Sequence, residues 1–270
     1  MGLPEPSTFL SGEHGEVGGK RGLLRRAADR ALDRWVELSG TLRRIDAAAT
    51  RLPSRTVLVA SIYRPPGDQL EAQRAQLTSR KHQVDLRLGS MEDLTGGKFE
   101  NLNELIGDAR PDWLLIVDDD VVLPQRFLDR MIALAELFDL QMAQPAQSLA
   151  SHAAWRVTRR RPRSILRETS FVEIGPVTLV SRAATEQLLP FPPLRYGWGL
   201  DLAWAATAHE RHWRLGIADA LPVRHETATV GSAYLAEAAV EEARTFLSTR
   251  PYLSSTAAQE TKRTHRRLPT

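Results

Sequence analysis

WLLIVDDDVVLP, residues 113–124, runs five large apolar residues into three consecutive aspartates, Asp118, Asp119 and Asp120. A short apolar run of this kind, bounded by turn residues, fits a strand buried on both faces. Three carboxylates at its end repel one another, so positive charge must stand close by. Side chains alternate along an extended chain, which puts Asp118 and Asp120 on one side and Asp119 on the other. Two carboxylates on one side form an oxygen-rich site for a hard divalent cation, Mg²⁺ or Mn²⁺. Mg²⁺ takes few protein carboxylates and completes its shell with water and phosphate oxygens, so the cluster points to a metal–diphosphate site. A set of caps and turn residues ahead of a helix accounts for one such aspartate better than for three.

The segments around this stretch alternate between strand and helix patterns. TVLVASIYR (56–64) is a β-branched apolar run ending at Pro65, Pro66 and Gly67. Residues 69–80 read as a helix, and HQVDLRL (82–88) alternates like a strand nearer an edge. KFENLNELIGDA reads as a helix, and RFLDRMIALAELF follows Pro124 at helical period. LQMAQPA, SFVEIGPVTLVSR (170–182) and WRLGIAD read as strands, with GLDLAWAATAHERH and residues 234–247 as helices. This order predicts an α/β fold: a mostly parallel, Rossmann-like sheet flanked by helices.

The ends of the chain differ from this middle. Residues 1–19 are rich in Gly, Pro, Ser and Glu and read as a disordered lead-in. Leu24, Ala28, Ala31, Trp35, Leu38, Leu42 and Ile45 then form an apolar stripe along an amphipathic helix over 20–50, with arginines on its other faces. Such a helix packs on its own domain, pairs with a second copy, or lies on an anionic membrane. Gly40 weakens it as one continuous coil. WRVTRRRPRSILR (155–167) carries six arginines in thirteen residues and reads as a basic loop, either solvated or gripping an anion. The domain over 55–250 ends in a basic tail, 251–270, whose KRTHRR (262–267) reads as disordered.

The 270 residues suffice for a sizeable core, and no apolar run approaches the roughly 20 residues that cross a bilayer. The opening residues lack a basic region followed by an apolar core, so no secretory signal is expected. Cysteine is absent, which excludes disulfides, thiolate metal sites and cysteine nucleophiles and agrees with a cytoplasmic location. A net charge of +3 is too small to argue for nucleic acid.

Acidic residues at a strand end serve several chemistries. Asp120 is followed by Val121 and Val122 rather than Gly-Thr, which argues against the haloacid-dehalogenase phosphatases, and no GxxxxGK[ST] loop is present. LLIVDDDVVLP resembles the strand–DxD–helix passage of GT-A glycosyltransferases of the broad family-two type. VLVASIYRP resembles their first nucleotide-binding strand, and GGKFENLNELI the passage before the DxD strand. FVEIGPVTLVSRAATEQL resembles the acceptor-side strand, and YGWGLDLAWA the glycine-rich turn and acid that open the next helix. These segments span about residues 56–226. No QxxRW motif of the processive members is present.

The resemblance implies a metal-dependent transferase, inverting in type, that moves a sugar from a nucleotide-diphosphate donor to a hydroxyl on a saccharide, lipid-linked or small-molecule acceptor. It implies Asp118, Asp120 and His225 as ligands for Mn²⁺ or Mg²⁺, with Asp118 also near the ribose. Ser61, Arg64, Lys98 and Asp119 become nucleotide contacts. Asp201 takes the general-base position with Glu173 as its rival, and Trp198 and Gly199 meet the sugar. Asp201 is also a plain first-turn helix acid, and His225 a plain structural histidine. His209 and His212 read as a solvated helix face. The competing readings are a nucleotidyltransferase, whose glycine-rich loop SIYRPPGDQ lacks, and a basic adaptor for membranes or nucleic acid.

Overall fold

The structure is a computed structural model that describes residues 18–65, 70–225 and 236–269. Nine strands build one sheet: β1 (Thr56–Tyr63), β2 (Gln83–Ser90), β3 (Trp113–Val117), β4 (Val121–Val122), β5 (Met142–Gln147), β6 (Leu166–Thr169), β7 (Val177–Ser181), β8 (Leu215–His225) and β9 (Thr261–His265). Their spatial order is β2-β1-β3-β7-β5-β8-β6-β9, with the short β4 paired to β8. Pairing is parallel for β1 with β2, β1 with β3 and β5 with β8, and antiparallel elsewhere. Tracing these senses across the sheet, β2, β1, β3, β5, β8 and β9 run one way, and β4, β6 and β7 run against them. The expected α/β sheet of mostly shared direction is therefore present, and the 82–88 segment is an edge strand as its alternation implies.

Alternation along β1 and β3 divides the core in two. Leu58, Ala60, Leu114 and Ile116 face α4 (Lys98–Ile106) and α7 (Leu200–Glu210), meeting Phe99, Leu102 and Trp204. Val57, Val59, Leu115 and Val117 face α2 (Thr41–Arg51) and α5 (Phe127–Leu137), meeting Ile45, Leu128 and Met131. Both faces are covered, so the strands read as continuous apolar runs. The remaining helices are α1 (Gly19–Leu38), α3 (Leu70–Leu77), α6 (Arg182–Leu188), α8 (Ala236–Leu247) and α9 (Ser255–Ala258).

Three expectations change. The helix over 20–50 is two helices, broken where Gly40 adopts a left-handed φ of 68°. In α2 the apolar stripe turns inward, with Ile45 fully buried. In α1 it turns outward, because the buried face is Gly22, Asp29 and Val36. Hydrogen bonds set that orientation: the Asp29 carboxylate accepts the backbone N–H groups of Leu149 and Ala150, each at 2.9 Å.

The arginine-rich stretch is divided: Arg159, Arg160 and Arg167 turn inward, whereas Arg156, Arg161 and Arg163 are exposed. Arg167 is fully buried and pairs with Asp219 through two contacts of 2.8 and 3.0 Å, while donating to the Val157 and Arg159 carbonyls. Arg160 is 4% exposed and reaches Asp33 of α1 at 2.6 Å. Arg160 and Arg167 are thereby committed to partners within the fold. The tail is ordered: β9 pairs antiparallel with β6, and the His265 Nε2 lies 2.5 Å from a Glu168 oxygen. Backbone pairing overrides its charged composition. The lead-in up to residue 17, Pro66, Gly67, residue 69 and residues 234–235 of the expected last helix lie outside the described residues.

Candidate functional site

The carboxyl ends of β1 and β3 point into a cleft of about 670 Å³, a size that suits a small organic ligand. Asp118 begins the turn after β3. The buried Gln73 amide of α3 holds that turn by donating to the carbonyls of Asp118 and Val121, at 2.9 and 2.8 Å. β4 follows at once and pairs with the end of β8, setting Val121 opposite His225. This register carries His225 to the aspartates across 105 residues of chain: its Nε2 lies 2.8 Å from an Asp120 oxygen.

Residues 118–120 form a turn rather than an extended run, so the alternation expected of a strand does not set their directions. Asp118 takes a 2.7 Å bond from the Lys98 ammonium at the start of α4. Asp119 accepts the Arg64 backbone N–H at 2.7 Å and lies 3.5 Å from the Arg64 guanidinium. Asp120 faces His225 and lies 3.7 Å from the Arg64 guanidinium. Lys98, Arg64 and His225 are thus the positive charge that three aspartates demand. Burial alone would raise the pKa of Asp120, but the His225 hydrogen bond and charge, with Arg64 beyond, hold it below the usual carboxylate value. Burial likewise works against the His225 cation, and Asp120 and Asp118 outweigh it, so that pKa is raised.

Ligand atoms of Asp118, Asp120 and His225 lie within 4.8 Å of one another. Two carboxylates and one imidazole fit Mn²⁺ well and Mg²⁺ acceptably. The nearby backbone allows the approach: a Cβ on Gly175 would sit 3.0 Å from an Asp118 oxygen and 3.2 Å from the Lys98 ammonium.

Glu173 lines the same cleft from the segment before β7. Its backbone N–H donates to Gln144, while its Oε2 is enclosed and meets no hydrogen-bond partner among the described residues. Burial, then the charges of Asp201 and Asp118, raise its pKa well above the ordinary value, and Lys98 opposes them. Asp201, in the first turn of α7, is 5% exposed and lies behind this wall rather than on it. Burial raises its pKa to about 7 against hydrogen bonds from the Leu202 backbone, the Trp155 side chain and the Ile174 backbone.

Among the remaining expected residues, Arg64, Lys98 and Trp198 line the cleft. Ser61 does not: it is fully buried within β1, two positions short of the strand's open end. Gly199 does not either. It caps α7 with φ 84°, and a Cβ there would meet Leu247 of α8 at 3.0 Å, so its role is packing. His209 and His212 are exposed, as expected of a solvated face. Sequence reading missed Gln73 and Glu242. The Glu242 carboxylate of α8 accepts the backbone N–H groups of Arg195, Tyr196 and Gly197 at 2.7, 2.9 and 3.0 Å, fixing the wall that carries Trp198. Neither residue belongs to a local pattern that would disclose a partner more than 40 positions away.

No protein-family model and no curated protein matches the chain. Among solved structures it is similar to GalNAc-T7 crystallised with UDP, GalNAc and Mn²⁺, at 10% identity and TM-score 0.47, over 64% of this chain and 43% of that one. It is similar to a mannosyltransferase of Pyrobaculum calidifontis in complex with GDP-Man and Mn²⁺, at 16% identity and TM-score 0.42, over 72% and 64%. It is also similar to S. aureus TarS 1–349 in complex with UDP-GlcNAc, at 14% identity and TM-score 0.45, over 67% and 62%. The chain therefore spans less than two thirds of each of these proteins.

Proposed function

We propose that the protein is a metal-dependent glycosyltransferase of GT-A type, transferring a sugar from a nucleoside-diphosphate donor to an acceptor hydroxyl. The observation that carries this reading is the meeting of Asp118, Asp120 and His225 at the floor of a cleft whose wall holds an enclosed carboxyl, Glu173. A divalent cation bound there would neutralise charge on the leaving diphosphate. Arg64 and Lys98 stand beside the aspartates and add positive charge for the phosphates. Trp198 offers a flat apolar face to a sugar ring.

Sugar transfer also needs a proton acceptor. In a single displacement the acceptor oxygen bonds to the anomeric carbon, the diphosphate leaves with the electron pair, and the hydroxyl proton goes to a base. The geometry favours Glu173 for that task over Asp201. Glu173 opens on the cleft, and its raised pKa makes its carboxylate a stronger base once ionised. Asp201 stands behind it, and its charge is one of the causes of that raised pKa. It serves here as a positioning residue.

The test is release of nucleoside diphosphate from a panel of nucleotide sugars with Mn²⁺, in wild type and Asp120→Asn. Metal-dependent release in the wild type, lost in the variant, is expected. Equal release in both, or none from any donor with any hydroxyl acceptor, removes the proposal.

A further inference from the structure

Helix α1 presents an apolar face that the other described elements do not cover. Its inner face is fixed by buried Asp29 and Val36 and by the Arg160–Asp33 pair. At 100° per residue, Leu24, Ala27, Ala31, Trp35 and Leu38 fall on the opposite side, with Leu23 at its margin. Leu23, Leu24, Trp35 and Leu38 are 64, 72, 36 and 75% exposed. Apart from Met91 in the cleft, they are all the exposed large hydrophobic residues among those described. Scattered apolar residues on a surface need no explanation, but four on one face of one helix do.

The charges on this helix are sorted as well. Arg26, Arg30 and Arg34 are exposed along one flank of the apolar face, and Arg21 is exposed on the other. The helix has three acids. Asp29 is buried against the domain, whereas Asp33 pairs with Arg160 but keeps a side chain 54% exposed, and Glu37 is exposed as well, both on the side of the helix away from Leu24 and Trp35. An apolar stripe with Arg26, Arg30 and Arg34 along one side and Arg21 on the other, carried at the surface by a 20-residue helix about 30 Å long, matches an anionic lipid surface in shape and charge. A second copy fits less well, because two such faces brought together would bring the flanking arginines of both copies close to one another.

We propose that the outward face of α1 docks the protein in the interfacial plane of an anionic membrane, with Leu24, Trp35 and Leu38 entering the acyl boundary and the flanking arginines meeting acidic headgroups. This surface is independent of the catalytic reading. No helix among the described residues is long and apolar enough to cross a membrane, and interfacial docking requires none.

The test is co-sedimentation of the full chain with phosphatidylcholine vesicles, with and without phosphatidylglycerol. Binding should need the anionic lipid and weaken as salt rises. Leu24→Glu/Leu38→Glu changes only exposed side chains, so it should keep the wild-type melting temperature while its vesicle partition falls about tenfold or more. Trp35 emission should shift to the blue on binding, a change absent from Trp35→Phe. Partition of the folded double variant equal to wild type, or no binding to acidic vesicles, overturns the proposal. So does concentration-dependent dimerisation that Leu24→Glu/Leu38→Glu abolishes while vesicles capture neither protein.

Discussion

At the residue scale the proposed transfer rests on Glu173, Asp201 and His225. Glu173→Gln should lower turnover about 10²–10⁴-fold with donor affinity near wild type, because a base acts only as the acceptor loses its proton. Asp201→Asn should cost less and should shift the acidic limb of the pH–rate profile rather than remove it. A profile that loses the limb in Asp201→Asn and keeps it in Glu173→Gln would exchange the two roles. The same pair makes a statement about stability. Both pKa values are raised in the folded state, so between pH 4 and about 7 the unfolded chain sheds protons that the folded chain keeps. Each group then contributes destabilisation that grows with pH, by at most about 1.4 kcal/mol per unit. Calorimetric melting of wild type against Glu173→Gln/Asp201→Asn should diverge over this window, and parallel curves would contradict the shifts. His225 works in the opposite sense. Its raised pKa means that Asp120 stabilises its cation, a contribution present at low pH and lost as pH rises through that pKa. A metal needs the neutral ring, so Mn²⁺ affinity should climb with pH through the same range, with proton release measurable by titration calorimetry in buffers of different ionisation enthalpy. Pattern alone pointed to the three aspartates, although they lie in a turn rather than in the extended run that alternation assumes. The resemblance put Asp201 ahead of Glu173 as base, because which carboxyl reaches the cleft depends on how β7 and α7 pack and no local pattern discloses it.

Elements are held in place by charges that the sequence shows as a run of arginines. Arg167 and Asp219 are both fully enclosed, and Arg167 also ties Val157 and Arg159. Arg167→Met leaves Asp219 buried without its partner and should cost about 3–5 kcal/mol of stability. Arg167→Met/Asp219→Leu should recover part of that loss. Denaturant melts that rank the double variant below the single one would mean that the pair is not the tie it resembles. Composition marked this stretch as a loop because six arginines rarely enter a core unless paired. The partner, Asp219, stands 52 residues away on β8, where nothing local announces it. In α1 the period of the apolar residues was legible and their direction was not. A buried aspartate bonded to two backbone N–H groups outweighed the stripe.

Across the whole molecule, the strand–helix alternation and the buried strands β1 and β3 were legible because both faces of those strands are covered and their runs are unbroken. The short β4, β6 and β9 were not, since each is defined by its partner rather than by its own residues. β4 is the consequential omission: two residues long, it sets the register that delivers His225 to Asp120. The central claim is that this junction forms a metal-dependent nucleoside-diphosphate site. The measurement that meets it most directly is titration calorimetry of UDP and GDP into the full chain, with Mn²⁺ and with chelator, beside Asp120→Asn. At least one nucleotide should bind only with Mn²⁺, and the variant should lose about tenfold or more in affinity, as removal of a direct metal-ligand charge requires. Binding that ignores both Mn²⁺ and the Asp120 substitution, or no binding of either nucleotide, would contradict it.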